Sequence, residues 1–122
     1  MLLRYDNEQA WNEAGPAALR AAQQEAAELT HQLNSRSQYI SASPLHPVST
    51  AASIRIREGR RLVTGGPFAE TREFLGGYYL IFARDLNETT SIASKHSGAR
   101  VGSVAVRALV ELNGMPQENA NG

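Results

Sequence analysis

Three groups of residues in this chain have side chains or backbone suited to chemistry. His46 is the best acid–base candidate, because an imidazole titrates near neutrality. It lies between Pro44 and Pro47, in a segment that the topology could bring to the edge of a sheet. Glu70 is its candidate partner, as a base if burial raises its pKa or as the group that orients the histidine. Between the two in chain order, Gly65-Gly66-Pro67 reads as a tight turn needing a positive φ. Exposed N–H groups near Gly66 could hold an anion or stabilise an oxyanion. His46 and Glu70 thus form the candidate catalytic set. Gly65, Gly66, Phe68, Thr71, Arg72, Arg55 and Tyr78 form the candidate ligand-binding set.

Each group also has a plainer reading. A histidine in a proline-rich loop serves as a surface or packing residue, and Glu70 can hold its own loop by binding backbone N–H groups or an arginine. Arg55, Arg57, Arg60 and Arg61 concentrate positive charge that could bind an acidic ligand or partner, or could keep an edge strand from aggregating. Tyr78 and Tyr79 point to opposite faces of a strand, so one belongs to the core and the other to an interface or cavity. His96, beside Lys95 at a helix end, suits the negative pole of the helix dipole, and His31 reads as a solvated helix residue. The three histidines share no ligand-type spacing, so neither a metal site nor a cofactor is expected. No phosphate-binding loop of the Gly-x-x-x-x-Gly-Lys type is present.

The elements that must position these residues fit one domain of 122 residues, enough to bury roughly two-thirds of the extended chain's surface. The 12 basic and 12 acidic residues balance, which removes the general electrostatic case for nucleic acid or a membrane surface as partner. The aromatic pattern of RNA-reading sheets is also missing. No cysteine is present, so disulfides and thiolate chemistry are excluded. No apolar run approaches the ~20 residues that span a bilayer. The stretch Met1–Asp6 is too short and too soon polar for a signal peptide, and a cytoplasmic location is the expectation.

Residues 1–5 read as a first strand, ended by Asp6-Asn7-Glu8. Gly15-Pro16 starts a helix whose Leu19, Ala22, Ala26, Leu29 and Leu33 share one face, with a stop near Asn34-Ser35. Residues 38–42 form a short strand. The prolines then hold 43–47 extended and out of any ladder. Residues 53–57 alternate as a half-buried strand with Ile54 and Ile56 inward, turning at Glu58-Gly59 into 61–64. After the glycine-bracketed loop comes the strand 78–83. Asp85 caps a weak helix, with Glu88 completing a reciprocal cap, and Gly98 ends it. Residues 101–112 form the last strand, with Val104 and Val106 on one face, and 113–122 read as a disordered tail.

The order β-α-β, hairpin, β-α-β predicts an α+β ferredoxin-like sandwich: a mainly antiparallel sheet with two helices on one face. The strand at 78–83 carries no charge on either face, so something besides the helices must cover it. A second copy of the sheet, in a symmetric homodimer, is the economical cover.

The tract Gly66-Pro67-Phe68-Ala69-Glu70-Thr71 to Leu75-Gly76-Gly77-Tyr78-Tyr79 resembles the YCII-related family, in its branch named for an Asp-Gly-Pro-Phe motif. Leu45-His46-Pro47, the run from Ser53 to Gly59 and Gly102-Ser103-Val104-Ala105-Val106-Arg107 fall in the same order and spacing. The resemblance implies a dimeric α+β barrel on a ferredoxin-like fold. It also implies a regulatory setting beside sigma factors, and for the wider family a histidine–aspartate pair in a cleft. Here the motif aspartate is Gly65, and His31 stands about a turn beyond the place of the first-helix histidine. Three readings therefore stay open. One is a dimeric module that binds a small anionic metabolite or a protein partner. Another is a cofactor-independent proton-transfer or hydrolytic enzyme built on His46. The third is a purely structural dimer without a pocket.

Overall fold

The first strand, β1 (Leu2–Asp6), is central to a four-stranded sheet. The computed structural model describes residues 1–67 and 71–110. Helices α1 (Glu8–Ala14) and α2 (Pro16–Ser35) follow, then β2 (Tyr39–Pro44), a 3₁₀ turn (Val48–Thr50) and the hairpin β3 (Ala52–Arg57) and β4 (Arg60–Gly65). The chain returns through β5 (Phe74–Ile81), α3 (Leu86–Ser94), the single turn α4 (Gly98–Val101) and β6 (Ser103–Val106). The sheet order is β2-β5-β1-β6 with every neighbouring pair antiparallel. That is the expected ferredoxin-like arrangement, with the hairpin as a separate two-stranded ribbon. No described helix is long and apolar enough to cross a membrane.

The core forms where the apolar stripe of α2 meets one face of the sheet. Leu29 and Leu33 are buried against Leu2, Tyr79, Ile92 and Ala93, with Val104 and Val106 packed alongside. Burial of each large aliphatic side chain contributes roughly 1.5–3 kcal/mol. The N-terminal half of the same stripe behaves differently, for Leu19 is exposed and Ala22 and Ala26 are only half-buried. They face a cleft instead of the core.

Several expectations need correction. Helix α1 was not foreseen: Asn7 is its cap, accepting a hydrogen bond from the Ala10 N–H at 3.0 Å. Residues 43 and 44 do enter a ladder, as Ser43 pairs with Tyr78 and Pro44 with Gly77. Proline is tolerated there because β2 is an edge strand. Ile54 and Ile56 are not inward but 58% and 67% exposed, since the ribbon pairs only with itself. Its turn is as expected, with Glu58 and Gly59 both at positive φ.

Strand β5 begins at Phe74, so Gly76 and Gly77 lie inside it. Helix α3 ends at Ser94, and Gly98 opens α4, which takes Val101 out of the last strand. The Asp85 carboxylate accepts from the Glu88 N–H at 2.8 Å as anticipated. The Glu88 carboxylate reaches back to the N–H of Arg84, one residue before the cap. The expected tail, 113–122, lies outside the described residues.

Candidate functional site

Alternation along β1 places Arg4 and Asp6 on the same side as buried Leu2, under the helices. Two charges on the core face of a central strand need partners, and both have them. Arg4 Nη2 donates to the Gly76 carbonyl at 2.5 Å. Its Nε stands 3.1 Å from Asp6 Oδ1, an ion pair made off the hydrogen-bond axis. Burial raises the Asp6 carboxyl above its ordinary pKa, more than the Arg4 charge lowers it. Glycines make room for this cluster. A Cβ on Gly76 would collide with the Asp6 carboxylate, and one on Gly98 would come within 2.9 Å of both Arg4 Cδ and His96 Nδ1.

His96 follows α3 and is 3% exposed. Its Nδ1 accepts the Gly98 N–H at 2.8 Å, which assigns the proton of the neutral ring to Nε2. That Nε2–H is buried and has no partner among the described residues. The ring stands edge-on to Tyr79, with centroids 5.2 Å apart. Desolvation first, then the positive charges of Arg4 and Arg100, lower its pKa to about 4, against a smaller opposing effect of Glu25. The imidazole is therefore neutral at physiological pH. The helix-dipole explanation expected for it fails, because the ring is buried and held away from its charged form.

Arg4, Asp6 and His96 line a cleft of about 740 Å³ between the sheet and the N-terminal half of α2. Trp11, Leu19, Ala22 and Ala26 supply helical wall, and Leu45 and Pro47 supply the loop side. Two bonds set its shape. Ser97 Oγ donates to the Ala22 carbonyl at 3.0 Å, and the Val48 N–H donates to Glu8 Oε1 at 2.9 Å.

The residues singled out from the sequence fall elsewhere. His46 is exposed, and although its neighbours Leu45 and Pro47 line the cleft, His46 does not. Phe68 and Glu70 lie outside the described residues. Gly65 ends β4, and the Gly66 N–H donates to the Ala51 carbonyl, so that group is not presented to an anion. Arg55 is exposed on the hairpin. Thr71 and Arg72 border a separate depression of about 590 Å³ with Tyr5, Asn7, Glu73 and Ser103. Tyr78 lies on the face away from the helices, its hydroxyl 2.8 Å from Ser41 Oγ, while Tyr79 is the core member of the pair. Among the described residues no three metal-ligating side chains cluster.

The domain model for the YCII-related family matches residues 1–113. The chain belongs to the YCII-related family. It is also 40% identical over 79 residues to an uncharacterised protein of Rhizobium meliloti (strain 1021), a match that covers 58% of this chain and 64% of that protein. The chain thus spans just under two-thirds of the length of that relative. In this YCII-related protein His96 and Asp6 both line the cleft, and neither stands on the first long helix or in the glycine loop, where the resemblance places the family's pair.

Proposed function

We propose that this YCII-related protein is a homodimeric small-molecule binding module whose ligand occupies the cleft beneath α2. One observation carries the reading: His96, which lines a cleft of about 740 Å³, has a buried imidazole N–H without a partner among the described residues. Buried polar groups are nearly always hydrogen-bonded, and ligand pockets span roughly 300–1,000 Å³ with mostly apolar walls and a few convergent polar groups. Glycine at 76 and 98, where any side chain would displace the cluster, supports a built arrangement over an accidental void.

Filling the cleft tests this. Ala26→Trp places an indole in the wall, and a metabolite screen read by thermal shift should lose every hit that wild type shows. Hits that survive the substitution, or a wild type that binds nothing, would count against a ligand site here. The Gly-Pro-Phe tract supports placing the chain in the Asp-Gly-Pro-Phe branch, and with it the regulatory, cytoplasmic setting. The enzymatic alternative built on His46 has less behind it, for that side chain is exposed and outside the cleft lining.

A further inference from the structure

Three features of the cleft bear on the chemistry of what fills it. The first is the sense of the hydrogen bond. With Nδ1 occupied by the Gly98 N–H, His96 offers a proton at Nε2 and no lone pair, so it calls for an acceptor. The second is charge. The charged side chains bordering the cleft are Arg4, Asp6 and Glu8, two carboxylates against one guanidinium. Arg4 is already engaged by the Gly76 carbonyl and by Asp6. An anionic ligand would meet two carboxylates and a guanidinium already shared between the Gly76 carbonyl and Asp6. The third is the wall, in which Trp11, Leu19, Ala22, Ala26, Leu45 and Pro47 present apolar surface to a molecule's flat or aliphatic body.

We propose that the cleft takes an uncharged, largely apolar ring compound whose carbonyl oxygen accepts the Nε2–H of His96. This rests on the binding-module reading above and replaces the anionic metabolite expected from the arginine-rich hairpin. The Nε2–H is closed to solvent in this structure, so a ligand carbonyl meets it only when the imidazole or its neighbours shift toward the cleft. Side-chain adjustment of that kind is common on binding.

Three probes of one shape separate the possibilities: 1-indanone, indane and indane-1-carboxylate, titrated into the full chain and followed by NMR of the backbone amides and the imidazole nitrogens. Indanone should bind roughly tenfold tighter than indane, as expected when a buried donor gains its missing acceptor, and should shift the His96 Nε2 resonance. The carboxylate should bind more weakly than indanone. His96→Leu should erase the difference between indanone and indane, whereas His96→Gln, which keeps an N–H donor, should retain part of it. Equal binding of indane and indanone, or tightest binding of the carboxylate, overturns the proposal and leaves the cleft as a ligand site of other chemistry. No binding by any probe at millimolar concentration also overturns it. In that case hits sensitive to Ala26→Trp show whether the wider reading survives.

Discussion

His96 owes its neutrality to burial first, then to the positive charges of Arg4 and Arg100, while a backbone N–H occupies Nδ1. The consequence for stability has a definite sign. An unfolded imidazole takes up a proton below about pH 6.5, while the folded one resists until about pH 4. Stability should therefore fall as pH drops through that window, by on the order of 3 kcal/mol at its acid end. Asp6 acts oppositely. Its raised folded pKa contributes stability that is present below 3.8 and lost as pH rises through the folded value. Urea denaturation at pH 7 and pH 4.5, compared between wild type and His96→Gln, isolates the histidine. Equal slopes with pH in the two proteins would contradict its burial as a neutral ring. The second residue-scale test is Gly76→Ala, expected to destabilise by about 1–3 kcal/mol through overpacking against the Asp6 carboxylate. Adding Asp6→Gly should recover part of the loss if that contact is the cause.

The elements show what could be read from residue order and what could not. Helix α2 was legible from its proline start and its three-and-four spacing, and the Glu58-Gly59 turn from its residue types. The signal for α1 was present but weak, an Asn7 cap followed by acidic Glu8 in seven residues with little apolar periodicity. The ribbon of β3 and β4 misled because alternation says which residues share a face, not whether anything covers that face. Arg4 and Asp6 were legible in principle, two residues apart on the strand whose Leu2 is core. Nothing local to His96 marks it, since Tyr79, Arg4 and α2 reach it only through tertiary packing. Helix α3 carries a prediction of its own scale. Thr89, Thr90 and Ser94 turn their hydroxyls back onto carbonyls one turn earlier, so the helix leans on its cap. Asp85→Ala should cost about 1 kcal/mol of folding stability by chemical denaturation.

At the scale of the whole molecule, the helices cover one face of the sheet. The other carries Leu3, Tyr5, Tyr78 and Leu80, all half-buried, with Ile54, Ile56 and Val63 exposed on the neighbouring ribbon. Apolar surface of that extent, without a cover among the described residues, supports the proposed homodimer. Sedimentation at micromolar concentration should give twice the 13.2 kDa chain mass. Leu80→Glu, which places a charge in the middle of that face, should shift the population toward single chains. A wild type that sediments as one chain would remove the dimer and leave the cleft argument standing, because every residue of the cleft comes from one subunit.

The glycine pair at 76 and 77 is a cast taken from the strands on either side. The Asp6 carboxylate fills the space beside the first glycine, and the Ser43 carbonyl and the Arg4 guanidinium share the space beside the second, so the blank positions on one strand record what stands on its two neighbours. In any protein of this architecture that keeps both blanks, the strand matching β1 is the place to look for such a charged pair. Where a bulkier residue fills either, the imprint is gone, and the polar floor beneath the long helix must be built in some other way.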